Sequence, residues 1–306
     1  MPLLCDNIRY KGLGKAKGGM RRLVIGIVMG LLLATRSVAA APVVVVAAEN
    51  FYGDMARQIG GPDVTVASIL SNPNQDPHLF EASTSTARAI ADAALVIYNG
   101  ADYDPWAAKL LQASPSASRS VIEVAALLGR KPGDNPHLWY DPATAPKVGQ
   151  AIAAALAHRD PAHAGAYAAR LAEFQRSLQP LAARIAALRA KYAGTPVTAT
   201  EPVFQYMADA LGLTMRNARF QLAVMNDTEP GAGDIAAFER DLKSRAVKAL
   251  IFNNQTGEAL TERMRTLAGQ SHVPVVGVSE TEPEGQTYQQ WMLSQLDALD
   301  QALAQP

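Results

Sequence analysis

The residues best suited to chemistry in this 306-residue chain are the histidines of two matching tripeptides, Asp76-Pro77-His78 and Asn135-Pro136-His137. The proline before each histidine fixes its own φ near about −65° and removes a backbone donor, so each imidazole is carried by a stiff loop. Neutral imidazole is the commonest metal-ligand side chain and suits zinc, copper, iron and nickel. Two equivalent loops that present nitrogen atoms to one point predict a metal site.

Two imidazoles alone would bind a metal ion weakly, so we expect further ligands from the second half of the chain. One predicted strand ends at Glu201, and another ends just before Glu280 and Glu282. In open α/β sheets, ligands bind outside the carboxyl ends of the strands. A glutamate before a proline is more often an exposed cap. Only its position at the end of a predicted strand favours Glu201 as a ligand. Glu280 is preferred to Glu282 because it is nearer its strand. The predicted metal ligands are His78, His137, Glu201 and Glu280.

Strand-like and helix-like segments that could position these residues alternate in two sets. The first set has strands at 43–48, 64–70, 95–98 and 121–124, and the second has strands at 197–200, 248–252 and 273–278. This pattern predicts an α/β fold with two lobes, each a small, mainly parallel β-sheet flanked by helices. The expected boundaries are 42–159 for the first lobe, 160–193 for the connection and 194–306 for the second lobe.

Residues 160–192 are rich in alanine and leucine and carry apolar side chains at helical spacing. They predict one long, rigid helix that joins the lobes. Pro180 lies in its interior, where proline kinks a helix.

The first 41 residues are predicted to be an N-terminal extension and a secretory signal that is removed. Arg21 and Arg22 precede an apolar run of 12 residues and a cluster of small residues at 37–41. The run is too short to span a membrane. The single cysteine, Cys5, lies upstream of it and is not placed for lipid attachment. We therefore expect a periplasmic monomer without a disulfide or a membrane anchor.

The charge of the remaining chain indicates which partners it attracts. The formal net charge is zero overall, but residues 1–41 hold seven of the 28 Lys and Arg residues and one of the 28 acids. Residues 42–306 therefore carry 21 basic and 27 acidic residues, a net of −6. Such a surface repels phosphate backbones and attracts cations. No nucleic-acid partner is expected.

Further motifs surround the two tripeptides. They include residues 47–51, 76–81, 98–101, 135–142, 247–252, 273–276 and 287–288. Together they cover essentially the whole mature chain, which resembles the periplasmic zinc and manganese binding proteins of ABC-type metal importers, the ZnuA/TroA-like family.

The resemblance implies two lobes joined by a long helix, with a metal in the cleft between them and one ligand from each of four loops. His78 and His137 match the first two ligands. Glu201 matches a third ligand that is histidine in many zinc-type members and glutamate in manganese-type members. Glu280 stands where aspartate is usual. The implied function is to capture Zn²⁺ or Mn²⁺ as the transported ion and to deliver it to the membrane permease of an ABC importer, without enzymatic activity.

The choice between the two ions stays open at this point. Glu201, and the lack of a histidine-rich loop before the second tripeptide, favour manganese. The higher intrinsic affinity of zinc in the Irving–Williams order favours zinc.

Two other functions are compatible with the same residues. A metallohydrolase would keep an open coordination position and use Glu201 or Glu280 as a general base, although the chain has no His-Glu-x-x-His helix. A metal-free solute carrier or adhesin would instead line its cleft with aromatic side chains, which are more often core residues. The candidates for such a lining are Tyr52, Trp106, Trp139 and Tyr140.

Overall fold

The computed structural model describes residues 41–255 and 257–305. The predicted extension and secretory signal, with Cys5, lie outside the described residues apart from Ala41. Within the described part of the chain, every helix is too short or too polar to cross a bilayer.

The chain forms two four-stranded parallel sheets with helices between the strands, which confirms the predicted fold class. The first sheet has the order β2-β1-β3-β4, and the second has the same order, β6-β5-β7-β8. The strands of the first sheet are Val43–Glu49 (β1), Val64–Leu70 (β2), Leu95–Tyr98 (β3) and Ser120–Glu123 (β4). Those of the second are Pro196–Ala199 (β5), Thr214–Arg216 (β6), Leu250–Asn253 (β7) and Val275–Val278 (β8).

The central strands are buried on both faces, as expected for parallel sheets covered by helices. In β1 only Val44 among the strand residues is exposed, and all four residues of β3 and β7 are buried. Because the strands are parallel, all four carboxyl ends of each sheet lie at one edge. In each sheet the direction of strand order reverses once, between β1 and β3 and between β5 and β7. Ligand-binding crevices form at such points.

Twelve α-helices are present among the described residues. Those of the first half are Asn50–Gly60 (α1), Thr84–Asp92 (α2), Pro105–Ala113 (α3), Val124–Leu127 (α4) and Thr144–Arg159 (α5). The connection contains Ala164–Ser177 (α6) and Gln179–Tyr192 (α7). The second half contains Gln205–Ala210 (α8), Ala218–Met225 (α9), Ala232–Lys243 (α10), Ala259–Gln270 (α11) and Tyr288–Leu303 (α12). The sequence did not predict β6 or α9.

The connection is a long helix bent at Leu178, where α6 ends and α7 begins. Pro180 has no N–H to donate to the carbonyl of Arg176, and its ring crowds that carbonyl. The bend predicted from Pro180 is therefore confirmed, and the connecting helix consists of two segments that meet at Leu178. The lobe boundaries assigned from the sequence stay a prediction.

Large apolar side chains join the two halves into one continuous core. The ring centroids of Phe51 and Trp291 lie 5.8 Å apart, and those of Tyr140 and Phe204 lie 5.1 Å apart. Tyr52, Trp139 and Tyr140 are fully buried in this core. They pack beneath the strand-end loops, as a supporting layer and not as the lining of an open cleft.

Candidate metal centre

The structure brings together the four residues that the sequence predicted as ligands. One ligand atom each from His78, His137, Glu201 and Glu280 lies within 4.8 Å of all the others. His78 Nε2 is 3.4 Å from Glu280 Oε2 and 3.8 Å from Glu201 Oε1. His137 Nε2 is 3.3 Å from Glu280 Oε2. The two imidazoles come from the first half of the chain and the two carboxylates from the second.

The loop after β2 holds His78 in a single 3₁₀ turn, Pro77–Leu79. Asp76 begins this turn and accepts a hydrogen bond from the backbone N–H of His78 at 2.8 Å. Proline at the first helical position needs no hydrogen-bond partner, so Asp-Pro starts the turn without an unsatisfied donor. The tripeptide thus fixes the direction in which the imidazole leaves the backbone.

The second tripeptide uses its asparagine in the same way and also orients the ring. Asn135 Oδ1 accepts from the backbone N–H of His137 at 3.1 Å and lies 2.7 Å from its Nδ1. An amide oxygen is only an acceptor, so the proton is on Nδ1 and the Nε2 lone pair is free to bind a metal. Asn99 Nδ2 donates to the carbonyl of Pro136 at 2.8 Å and holds this loop from beneath.

Asn253, which was not predicted as a functional residue, links the two carboxylates. Its Nδ2 donates to Glu201 Oε2 at 2.8 Å and to Glu280 Oε1 at 2.7 Å. It is the last residue of β7, so the strand-end rule that selected the glutamates would also have selected this asparagine.

Hydrogen bonds tie the loops of one half to those of the other beside each candidate ligand. Gln255 Oε1 accepts from the N–H groups of Glu280 at 2.5 Å and Thr281 at 3.1 Å, while its Nε2 donates to the carbonyl of Gln75 at 2.8 Å. Three more such bonds run from Asn135 to Pro202, from Tyr206 to Asn135 and from Tyr140 to Ser279. The four loops therefore form one connected unit.

The inner atoms of the cluster have no hydrogen-bond partner. His137 Nε2 and Glu280 Oε2 are both buried and unpaired. An unpaired buried polar atom is costly and calls for an explanation, of which a bound ion is one. Both atoms are good ligands for a divalent transition metal. The donor set therefore fits a cation between the halves.

Charge coupling within the cluster shifts three pKa values. Burial opposes a charge on His78, but attraction from the Glu280 carboxylate, with help from Glu201, raises the pKa of His78 to about 9. Burial and repulsion from Glu280 raise the pKa of Glu201 to about 7. Burial would raise the pKa of Glu280, but the facing imidazoles of His137 and His78 outweigh it and hold that pKa below its usual range. The cluster thus holds a proton that an arriving cation would displace.

Glu282, the alternative to Glu280, lies outside the cluster. Its backbone N–H and carbonyl both bond to the side chain of Asn50, at 3.0 and 2.7 Å. Burial and the nearby Asp54 carboxylate raise its pKa to about 9. The three remaining histidines, His158, His163 and His272, are likewise not among the clustered residues.

Of the four residues only His78 has an exposed side chain, with 26% of its surface accessible. A cavity of about 300 Å³ opens beside it. Three aspartates line this cavity: Asp102, Asp134 and Asp227. Their charges attract cations to the open side of the cluster.

Residues 45–302 match the profile of the ZnuA family, described as zinc-uptake complex component A, periplasmic. The chain belongs to this family. The resemblance inferred from the motifs is therefore confirmed across nearly the whole described chain.

Two relatives of this ZnuA family member carry names that refer to manganese. The manganese ABC transporter substrate-binding lipoprotein PsaA of Streptococcus mitis is 22% identical over 284 residues, which is 85% of this chain and 89% of the relative. The manganese-binding lipoprotein MntA of Bacillus subtilis strain 168 is 24% identical over 280 residues, with the same shares covered.

A solved structure shows the same fold. The periplasmic zinc binding protein TroA from Treponema pallidum superposes with a TM-score of 0.72 at 20% identity, covering 87% of this chain and 100% of that chain. This ZnuA family member thus shares its two-lobe architecture with a protein described as zinc-binding, while two relatives are named for manganese.

Proposed function

We propose that this protein binds Zn²⁺ or Mn²⁺ between its two halves, with His78, His137, Glu201 and Glu280 as ligands. The observation that carries the proposal is that four ligand atoms from four separate loops lie within 4.8 Å of one another. Two neutral imidazoles and two carboxylates balance the charge of a divalent ion. Packing alone does not explain this arrangement, because the arrangement leaves His137 Nε2 and Glu280 Oε2 without a hydrogen-bond partner.

The ion is proposed to be cargo and not a catalytic centre. Membership of a family described as a component of zinc uptake supports delivery to the permease of an ABC importer. The acidic cavity beside His78 supports capture of a cation from solution. The description of the family as periplasmic, together with the predicted secretory signal, supports action in the periplasm.

The contacts of the two carboxylates argue against a metallohydrolase function. A general base needs a carboxylate free to accept a proton from water. In both glutamates one oxygen is bonded to Asn253 and the other faces the imidazoles. The aromatic side chains that a metal-free carrier would need in its cleft are largely buried in the core.

Titration calorimetry on the chelator-treated protein tests the proposal. Each of His78→Ala and His137→Ala should lower the affinity for zinc and manganese by more than the roughly 10- to 100-fold cost of losing an outer partner. His158→Ala is the matched control because His158 is exposed and outside the cluster. Unchanged affinity in both cluster variants would rule out this ligand set.

A further inference from the structure

Asn253 occupies the position between the two carboxylates because of the strand order. It ends β7, which lies between β5 and β8 in the second sheet. Glu201 follows β5 and Glu280 follows β8, so the three side chains share one edge of the sheet. The amide nitrogen of Asn253 donates one hydrogen to each glutamate.

The orientation of this amide is fixed. Its Oδ1 accepts from the backbone N–H of Gln255 at 3.1 Å, so only the NH₂ group is left to face the carboxylates. The reverse orientation would place the amide oxygen against two acceptors. Asn253 is only 1% exposed, so water does not compete for these bonds.

Asn253 therefore decides which oxygen of each glutamate is available to a metal. Glu201 Oε2 and Glu280 Oε1 are bonded to the amide. Their partners, Glu201 Oε1 and Glu280 Oε2, are the atoms that face the imidazoles. Each glutamate thus offers one oxygen, and the four residues offer four donor atoms.

Four donors at these separations suit a tetrahedral ion. A tetrahedron with bonds of about 2.0–2.1 Å has edges of about 3.3–3.4 Å, and zinc in proteins adopts this coordination. Three of the six separations between donors of different residues are 3.3, 3.4 and 3.8 Å, and all six lie within 4.8 Å. Manganese suits octahedral, oxygen-rich sites. Carboxylates that bind through both oxygens would supply the additional donors, but one oxygen of each glutamate is hydrogen-bonded to Asn253.

We propose that Asn253 is a specificity-determining residue that keeps both glutamates monodentate and so favours four-coordinate zinc over manganese. It acts through the carboxylates and is a positioning residue, not a ligand. The inference rests on the proposed function, because it concerns the same metal centre. It also bears on the choice between zinc and manganese, for which Glu201 by itself favours manganese.

The first test is competition between zinc and manganese for the wild-type protein and for Asn253→Ala. Without the amide, both carboxylates are free to bind through two oxygens. The ratio of zinc affinity to manganese affinity should fall about tenfold or more, within the range of outer-partner effects. Asn135→Ala is the matched control: it loosens the His137 imidazole, should weaken both ions alike, and should leave the ratio unchanged.

The second test reads the coordination number directly. Tetrahedral Co²⁺ absorbs visible light far more strongly than five- or six-coordinate Co²⁺. The wild-type protein loaded with Co²⁺ should show the strong tetrahedral bands, and Asn253→Ala should show weaker bands. Because the wild-type spectrum needs no variant, this test holds even if Asn253→Ala does not fold.

The possible outcomes are distinct. A lower ratio in Asn253→Ala together with an unchanged ratio in Asn135→Ala supports the assignment. Equal losses for both ions in Asn253→Ala, or weak five- or six-coordinate bands in the wild type, overturn it while the metal-binding function stands. Failure of the wild type to bind either ion overturns the proposed function, and this inference with it.

Discussion

Nε2 of His137 lies 3.3 Å from Oε2 of Glu280, and neither atom makes a hydrogen bond to any described residue. His137 belongs to the first half of the chain and Glu280 to the second. A cation between these two atoms would satisfy both and would join the halves at the same time. Metal binding and cohesion of the halves are therefore linked, and the following predictions start from this link.

Zinc should stabilise the protein against unfolding. At a free concentration about 100 times the dissociation constant, the linkage gain is about 2.7 kcal/mol. Differential scanning calorimetry should show a higher Tm with zinc for the wild type and for His158→Ala. His137→Ala should show no such increase, and an equal increase in that variant would contradict the link.

Metal affinity should fall as the pH is lowered. The pKa of His78 is raised to about 9 by Glu280 and Glu201, so below that pH the ion must displace a proton. Each pH unit should lower the apparent affinity about tenfold, and more steeply below about 7, where Glu201 also holds a proton. Calorimetry in buffers with different ionisation enthalpies counts the protons released. Affinity that is constant between pH 6 and 9 would contradict the prediction.

Glu201→Gln should stabilise the metal-free protein at alkaline pH. The pKa of Glu201 rises from 4.5 to about 7 on folding, so the wild type loses stability as the pH rises from the lower value to the higher one. The uncharged amide avoids this loss, which amounts to about 3 kcal/mol above pH 7. Urea unfolding at pH 8 and pH 4 measures it. The difference should vanish at pH 4, and its persistence there would indicate another cause.

Gln255→Ala should weaken both folding and metal binding. The N–H groups of Glu280 and Thr281 lose their acceptor, and the carbonyl of Gln75 loses its donor. Buried groups left unpaired in this way cost about 1–3 kcal/mol in urea unfolding. Gln205→Ala removes only an exposed bond to Asp209 and should change stability by less than about 0.5 kcal/mol. Similar effects of both changes would contradict a specific role for Gln255.

Gly53→Ala should destabilise the packing of α1 on β2 unless Ser68 is changed as well. A Cβ atom at residue 53 would clash with Ser68 Oγ, which is buried and unpaired. Overpacking of this kind costs about 1–3 kcal/mol. In Gly53→Ala with Ser68→Ala the clash is removed, and alanine gains up to about 1 kcal/mol over glycine within a helix. The double variant should therefore be at least as stable as the wild type in thermal unfolding, and a double variant as unstable as Gly53→Ala would contradict the explanation.

The sequence predicted the fold class and singled out the four side chains that the structure brings together, because both depend on local patterns. The Pro-His tripeptides are complete within three residues, and Glu201 follows directly from a strand. The edge strand β6 escaped detection because Thr214, Met215 and Arg216 make a strand of only three residues, too short for a period-two pattern to stand out, and two of the three are exposed. Its existence depends on pairing with β5 and not on its own residues.

The distinction between Glu280 and Glu282 rests on contacts that local sequence does not contain. Two residues apart on an extended strand, both side chains would point to the same face. The segment is instead held by Gln255, 25 residues earlier, and by Asn50 in the opposite half. The role of Asn253 also depends on the order of strands in the sheet, which becomes visible only in the assembled fold.

Three of the four clustered residues are buried, and among the four only His78 is exposed to solvent. At the proposed site, an ion from solution would therefore meet the His78 imidazole before the other three side chains. A rotation of this one ring, with the other three side chains at rest, would be the smallest movement that opens the proposed site to solvent.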